Sequence, residues 1–214
     1  MKRLAAVIGR VALGCLAALV LVACSQRDSQ TYLGGRPVDL HELTADEVAR
    51  AVRITPRGAD VFFQAPPIQT SKIIDLRSVG EEMGITLGSV QRVRFGYLFG
   101  VLKPSSGAMQ HYVLFESNFV TGDDRYTSVT TSDGQRLRFA TERAPDPCVP
   151  NCFPVIESLI VTVPEPVLRA NLATGLPLNI TLANGEAINF KGAPPYVQGY
   201  MQAVNAYRAG LAAR

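Results

Sequence analysis

The chain has no tryptophan and only two histidines, His41 and His111, in 214 residues. Any nucleophile–histidine–carboxylate triad would have to use one of those two. A Gly-x-Ser-x-Gly elbow and a Ser-x-x-Lys pair are both missing. No glycine-rich loop follows a strand, so nucleotide binding has no support. The acid pairs Glu81-Glu82 and Asp123-Asp124 are adjacent in sequence. On a strand, neighbouring side chains point to opposite faces, so neither pair makes an acid/base dyad. Gly122-Asp123-Asp124-Arg125 lacks the spaced oxygen ligands of a Ca²⁺ loop and reads as a hydrated turn. Fixed-period repeats and low-complexity blocks are absent too. These residues imply no cofactor, no metal and no enzymatic motif.

The N-terminus carries Lys2, Arg3 and Arg10, followed by an uncharged run from Val11 to Val22. That run has the length of a signal-peptide core and is too short to span a bilayer. It ends in Leu21-Val22-Ala23-Cys24, which resembles a bacterial lipobox, with Val22 where the pattern prefers a small residue. The resemblance implies a signal peptide over residues 1–23, cleavage before Cys24, and diacylation with N-acylation of that cysteine. Each buried methylene contributes about 0.8 kcal/mol, so two or more acyl (palmitate-type) chains hold a stable anchor. Ser25 stands where an inner-membrane retention signal would have Asp, which favours the outer membrane. Loss of Lys2, Arg3 and Arg10, with no acid among residues 1–23, lowers the 21 Lys+Arg to 18, equal to the 18 Asp+Glu. A balanced mature surface gives no electrostatic reason to expect nucleic-acid binding. It also lacks a polybasic patch to reinforce the anchor.

Four cysteines reduce to two once Cys15 leaves with the signal and Cys24 is acylated. The remaining pair, Cys148 and Cys152, lies in a proline-stiffened loop, and an even count in an exported domain reads as a disulfide. Its small ring stabilises by about 2 kcal/mol at most. A redox thiol needs Cys-x-x-Cys at a helix start, whereas the spacing here is Cys-x-x-x-Cys with prolines around it. Copper chaperones of the Sco type share that spacing but need a histidine far downstream, and both histidines lie upstream.

The polar stretch with Gly34-Gly35 makes residues 24–37 an expected tether. Residues 38–214 are expected to form one β-rich domain. Thr44-Ala45-Asp46-Glu47 is a capping box that starts a helix over about residues 45–52, with Pro56 and Gly58 marking its end. Runs of β-branched and aromatic residues then read as strands at Val61 to Phe63, Ile73 to Leu76, Val90 to Leu102, Tyr112 to Phe115, Tyr126 to Thr131, Gln135 to Thr141 and Ile156 to Val163. Ser132-Asp133-Gly134 and Asn184-Gly185 mark hairpins. Gln110-His111-Tyr112 opens a strand, and His111 is expected at an exposed edge. Tyr97, Phe99, Tyr112 and Phe115 fit a core, or a partner-binding patch if Tyr97 and Phe99 share an outward face. A short helix begins at Pro164-Glu165-Pro166. Val197, Tyr200, Met201, Val204 and Tyr207 form one apolar stripe on a last helix that begins at Pro194-Pro195 and docks on the sheet. The expected fold is mainly β (α+β), an antiparallel β-sandwich-like domain with short helices and the C-terminal helix packed on it.

Cys148-x-x-x-Cys152, a strand, a short helix ending in Leu172-Ala173-Thr174-Gly175, a hairpin and Val197-Gln198-Gly199-Tyr200-Met201-Gln202-Ala203 follow one another in that order. This order resembles the C-terminal half of the invasion-associated locus B family of periplasmic proteins. The resemblance covers under a third of the chain, and the family's Trp-containing N-terminal pattern has no counterpart. It implies a non-catalytic exported β domain. The expected function is a lipid-anchored, periplasm-facing envelope lipoprotein that binds another envelope protein. A carrier of a small apolar ligand and an envelope-polymer hydrolase are the alternatives.

Overall fold

The computed structural model describes residues 30–33, 36–39, 42–75, 89–117, 125–145 and 155–213, and among them lie twelve strands and three helices. In chain order these are β1 (Gln30–Leu33), β2 (Arg36–Asp39), α1 (Ala45–Ala51), β3 (Arg53–Arg57), β4 (Asp60–Gln64), β5 (Ile68–Asp75), β6 (Ser89–Lys103), β7 (Ala108–Ser117), β8 (Tyr126–Thr131), β9 (Phe139–Pro145), β10 (Val155–Val163), α2 (Glu165–Ala170), β11 (Leu176–Leu182), β12 (Ala187–Gly192) and α3 (Pro194–Ala212). The chain divides into two compact units. The larger holds residues 28–70 and 92–214; the smaller holds 1–27 and 71–91, of which only 71–75 and 89–91 are described.

The fold is mainly β, with two antiparallel sheets and the C-terminal helix packed on them. A nine-stranded sheet runs β2-β1-β5-β6-β7-β10-β9, with β4 also paired to β6 and β3 paired to β4. A three-stranded sheet runs β12-β11-β8. Along β6, β7 and β10 every second residue turns inward: Leu98 and Leu102, Val113 and Phe115, Leu159, Val161 and Val163 are all buried. The buried face of the small sheet joins the same core through Val129, Leu178, Ile180 and Phe190. The stripe foreseen on α3 closes that core, with Val197, Tyr200, Met201 and Val204 buried and Tyr207 packed against its margin.

Local signals explain most boundaries. The Thr44 side chain accepts from the Glu47 N–H at 3.3 Å, and the Glu47 carboxylate accepts from the Thr44 N–H at 2.9 Å, closing the expected capping box. Pro56 and Gly58 do more than stop a helix. Pro56 lies within β3, and Gly58-Ala59 forms the turn to β4. The hairpin at Ser132-Asp133-Gly134 forms, but the strand expected over 135–141 is split. A bridge joins Thr130 to Arg136, and the Leu137 N–H bonds to the Val129 carbonyl. From Phe139 the chain instead pairs with β10 in the large sheet. Crossing between sheets breaks the ladder even though the alternation of Leu137 and Phe139 with Arg136 and Arg138 continues. Residues 30–33 and 36–37, inside the stretch read as a tether, lie in β1 and β2. Gln30 of β1 stands opposite Gln69 of β5, so the large sheet takes up that stretch.

The step from β4 to β5 interrupts the ladder on β6. The Ala65 N–H still bonds to the Leu98 carbonyl at 2.9 Å, but Pro66 and Pro67 bring no further donors. The fully buried Tyr196 of α3 fills the interruption. Its hydroxyl accepts from the Leu98 N–H at 3.1 Å and donates to the Pro66 carbonyl at 2.8 Å. Tyr196→Phe keeps the ring but strands both groups. It should cost about 2–4 kcal/mol, read as a lower midpoint of urea unfolding with unchanged slope.

Candidate functional site

Cys24, His41, Cys148 and Cys152 lie outside the described residues, as do Glu81-Glu82 and Asp123-Asp124. The other candidates divide between the two faces of the large sheet. Phe115 points into the core, whereas Tyr97, Phe99 and Tyr112 share the opposite face and are half-buried there. The register places Phe99 beside Tyr112, with ring centroids 6.3 Å apart, and Phe62 of β4 lies 5.7 Å from Phe99. The Arg57 guanidinium sits 5.6 Å from the Phe62 ring centre, a cation–π position. The strip therefore runs from β7 across β6 and β4 to β3. Tyr97 stands one step along from it. Burial pushes its hydroxyl up to about 12, and the nearby Glu116 charge adds to the shift. Burial also raises the Glu116 carboxyl.

An open groove lies on the helix side of the same sheet. α1 and α3 touch where α3 has no side chain: a Cβ on Gly199 would collide with the Ala45 carbonyl and lie 2.6 Å from the Val48 Cβ. Gln202 then ties the helices by donating to Asp46 at 2.9 Å. α1 has only seven residues and turns directly into β3, while α3 has nineteen and continues. Beyond the crossing a groove of about 640 Å³ opens over Ala49, Ala203 and Ala206, walled by Ile54 and Tyr207, with Arg50 at its rim. Tyr207 is fixed there by an edge-to-face contact with Phe63, centroids 5.4 Å apart. Ile54 is the exposed large apolar residue among the described residues, at 38 %. The spacing of Gly199, Ala203 and Ala206 at i, i+4 and i+7 is a signal for close helix contact that an apolar-stripe reading passes over.

His111 is not at an exposed edge. It is 1 % exposed, because β7 lies between β6 and β10 and the alternation turns His111 inward beside Val113 and Phe115. Gly100 stands opposite it, and a Cβ there would collide with the Tyr200 hydroxyl. That hydroxyl lies 2.9 Å from His111 Nδ1, while Nε2 faces the Glu165 carboxylate at 3.6 Å. Nδ1 accepts when the Tyr200 hydroxyl donates to it, whereas the buried Nε2 has no partner within hydrogen-bond distance and meets Glu165 only as a nearby charge. Glu165 also accepts from Arg169 at 2.5 Å and from Arg208 at 3.3 Å. Burial raises its carboxyl, but the Arg169 hydrogen bond and the two arginine charges outweigh that and leave it below the ordinary value. Burial lowers the proton affinity of His111. Glu165 opposes the shift, and Arg208 and Arg169 reinforce it. A tyrosine–histidine–glutamate chain resembles a proton relay in its atoms. Tyr200, on α3, and His111, on β7, have essentially no exposure, while Glu165 of α2 is 23 % exposed, so the contact ties α3 to the sheet and to α2.

Among the described residues no group of three or more His, Cys, Asp or Glu is placed to hold a metal ion. Comparison of the chain with protein families, curated proteins and solved structures finds no match.

The buried histidine gives a pH prediction. His111 binds a proton less readily folded than unfolded. Its contribution to stability is therefore complete above the ordinary value of 6.5 and is lost as the pH falls below it. Urea midpoints should fall between pH 7 and pH 5. His111→Gln, which can still bond to Tyr200 but does not titrate, should flatten that fall.

Proposed function

We propose that the protein is a lipid-anchored cell-envelope lipoprotein that faces the periplasm and works as a non-catalytic binding module. Acyl chains on Cys24 would hold it on the membrane, with the outer membrane favoured, and a Cys148–Cys152 bridge would pin its proline-rich loop. The single observation that carries the binding role is the open groove of about 640 Å³ between α1, α3 and β3. Its small-residue floor and its aromatic and aliphatic walls suit an apolar partner group, with Arg50 and Asp46 supplying polar orientation at the rim. The aromatic strip reaches the same strand from the other face and extends the candidate surface. The partner expected from these features is another envelope protein. An apolar-ligand carrier is the second reading; the groove is lined by Ile54, Ala203, Ala206 and Tyr207 but is open to solvent, so a carrier would hold only one side of its ligand there.

A photo-cross-linking amino acid in place of Ala206, on the groove floor, should give discrete protein adducts in intact cells. The same group in place of the exposed Asn189 of β12 should give none. Equal labelling at the two positions, or none at either, removes the groove as a protein-binding site. Saturable uptake of an apolar dye without adducts transfers the groove to the carrier reading. Cys24→Ser should release the protein from membranes; retention there would end the anchor reading.

A further inference from the structure

Arg57 faces Asp60 across the two-residue turn Gly58-Ala59. In a hairpin closed this way the first facing pair exchanges both backbone hydrogen bonds, and the pattern then alternates. Arg57, Thr55 and Arg53 therefore direct their backbone groups at β4, and Ile54 and Pro56 direct theirs away. The next ladder agrees. The Ala65 N–H bonds to Leu98, two steps beyond Phe63 opposite Gly100, so the odd-numbered residues serve β6 and the even-numbered ones serve β3. Among the described residues no strand pairs with the outer edge of β3. That edge offers the Ile54 N–H and C=O and the Pro56 C=O. Proline removes one donor and keeps the pairing register short.

The two faces beside this edge differ in chemistry. The Ile54 side chain lies on the helix side and lines the groove. On the opposite face Arg53 and Arg57 stand exposed on either side of Thr55, and Arg50 rises at the groove rim. No carboxylate among the described residues lies within ion-pair distance of these three arginines. Asp60 faces Arg57 at the hairpin end, and Asp46 is held by Gln202.

We propose that the free edge of β3 accepts an extended segment of a partner protein in which apolar residues alternate with acidic ones. Side chains of a strand alternate between faces. The apolar set would enter the groove against Ile54, Ala206 and Tyr207, and the carboxylates would stand beside Arg53 and Arg57. Main-chain bonds to Ile54 and Pro56 would hold the segment in register. This rests on the binding-module reading and names the class of partner.

The test uses the mature acylated protein in detergent and a fluorescent seven-residue peptide of alternating valine and glutamate. Anisotropy should rise to saturation. Binding should weaken by about tenfold or more when lysine replaces glutamate, because arginine–carboxylate pairing is lost. A peptide N-methylated on alternate amides, and the variant Ile54→Asp with an unchanged thermal midpoint, should lose it similarly. No saturable binding, equal binding of the lysine and glutamate peptides, or unimpaired binding of the N-methylated peptide overturns the proposal. So does a dimer that Ile54→Asp dissolves and the peptide leaves intact, which would give the edge to a second copy of this chain. Adducts at position 206 in cells, with no peptide binding, overturn this inference alone. Their absence removes the reading beneath it.

Discussion

One hydroxyl group joins the helical layer to the large sheet where the sheet is broken. Pro66 and Pro67 cannot donate, so the strand that runs alongside β6 fails for a few residues. In the interior such a failure leaves polar groups without water, at a cost comparable to several net hydrogen bonds. A tyrosine hydroxyl both donates and accepts, and Tyr196 uses both capacities at once, toward the Pro66 carbonyl and the Leu98 N–H. The geometry fixes α3 axially as well as radially. One turn further along α3, Tyr200 makes a second polar contact through Gly100's missing side chain to His111. The apolar stripe would bury α3 in many orientations; these two hydroxyls select one.

The groove follows from that placement. With α3 fixed, the short α1 can cover only part of it, and the crossing at Gly199 draws the two helices together near the start of α1. Where α1 turns into β3 the cover ends. The opening therefore lies beside an edge strand, with a helix surface on one side and main-chain groups on the other. The aromatic strip on the reverse of the sheet ends at the same strand, where Arg57 sits over the Phe62 ring of β4. A single strand thus borders two apolar surfaces and one unpaired ladder.

Much of the architecture was readable from period and punctuation. The capping box at Thr44, the hairpin at Asn184-Gly185 and the stripe on α3 depend on neighbours within one or two turns, and local sequence carries that information. Contacts that depend on distant chain could not be read this way. Gln135 to Thr141 alternates as one strand should, but alternation cannot say which sheet each half joins. Pro56 and Gly58 read as a stop because their hairpin partner lies beyond the window of a helix boundary. His111 looked like an edge residue because nothing near it in sequence announces Tyr200 or Glu165. Tyr196 lies one turn before Tyr200 on the same face, but beside a proline and ahead of the stripe that begins at Val197, so its place in the sheet became visible only with the fold. Of the candidate site, only Tyr207 stood in the apolar stripe; the small residues beside it and their meeting with Ile54 depend on distant chain.

The tyrosine-bridged interruption also sets an order of events. Leu98 waits for a residue 98 positions later in the chain, and Pro66 for one 130 positions later. Closing loops of that length is slow relative to forming a hairpin, and β6 can pair with β4 and β7 long before α3 is in place. Until then the centre of the sheet holds unpaired main-chain groups and an uncovered apolar face, the features that draw unfinished chains into association. In this layout the sheet becomes a closed core only when the C-terminal helix is in place, because the groups that complete it lie at the far end of the chain.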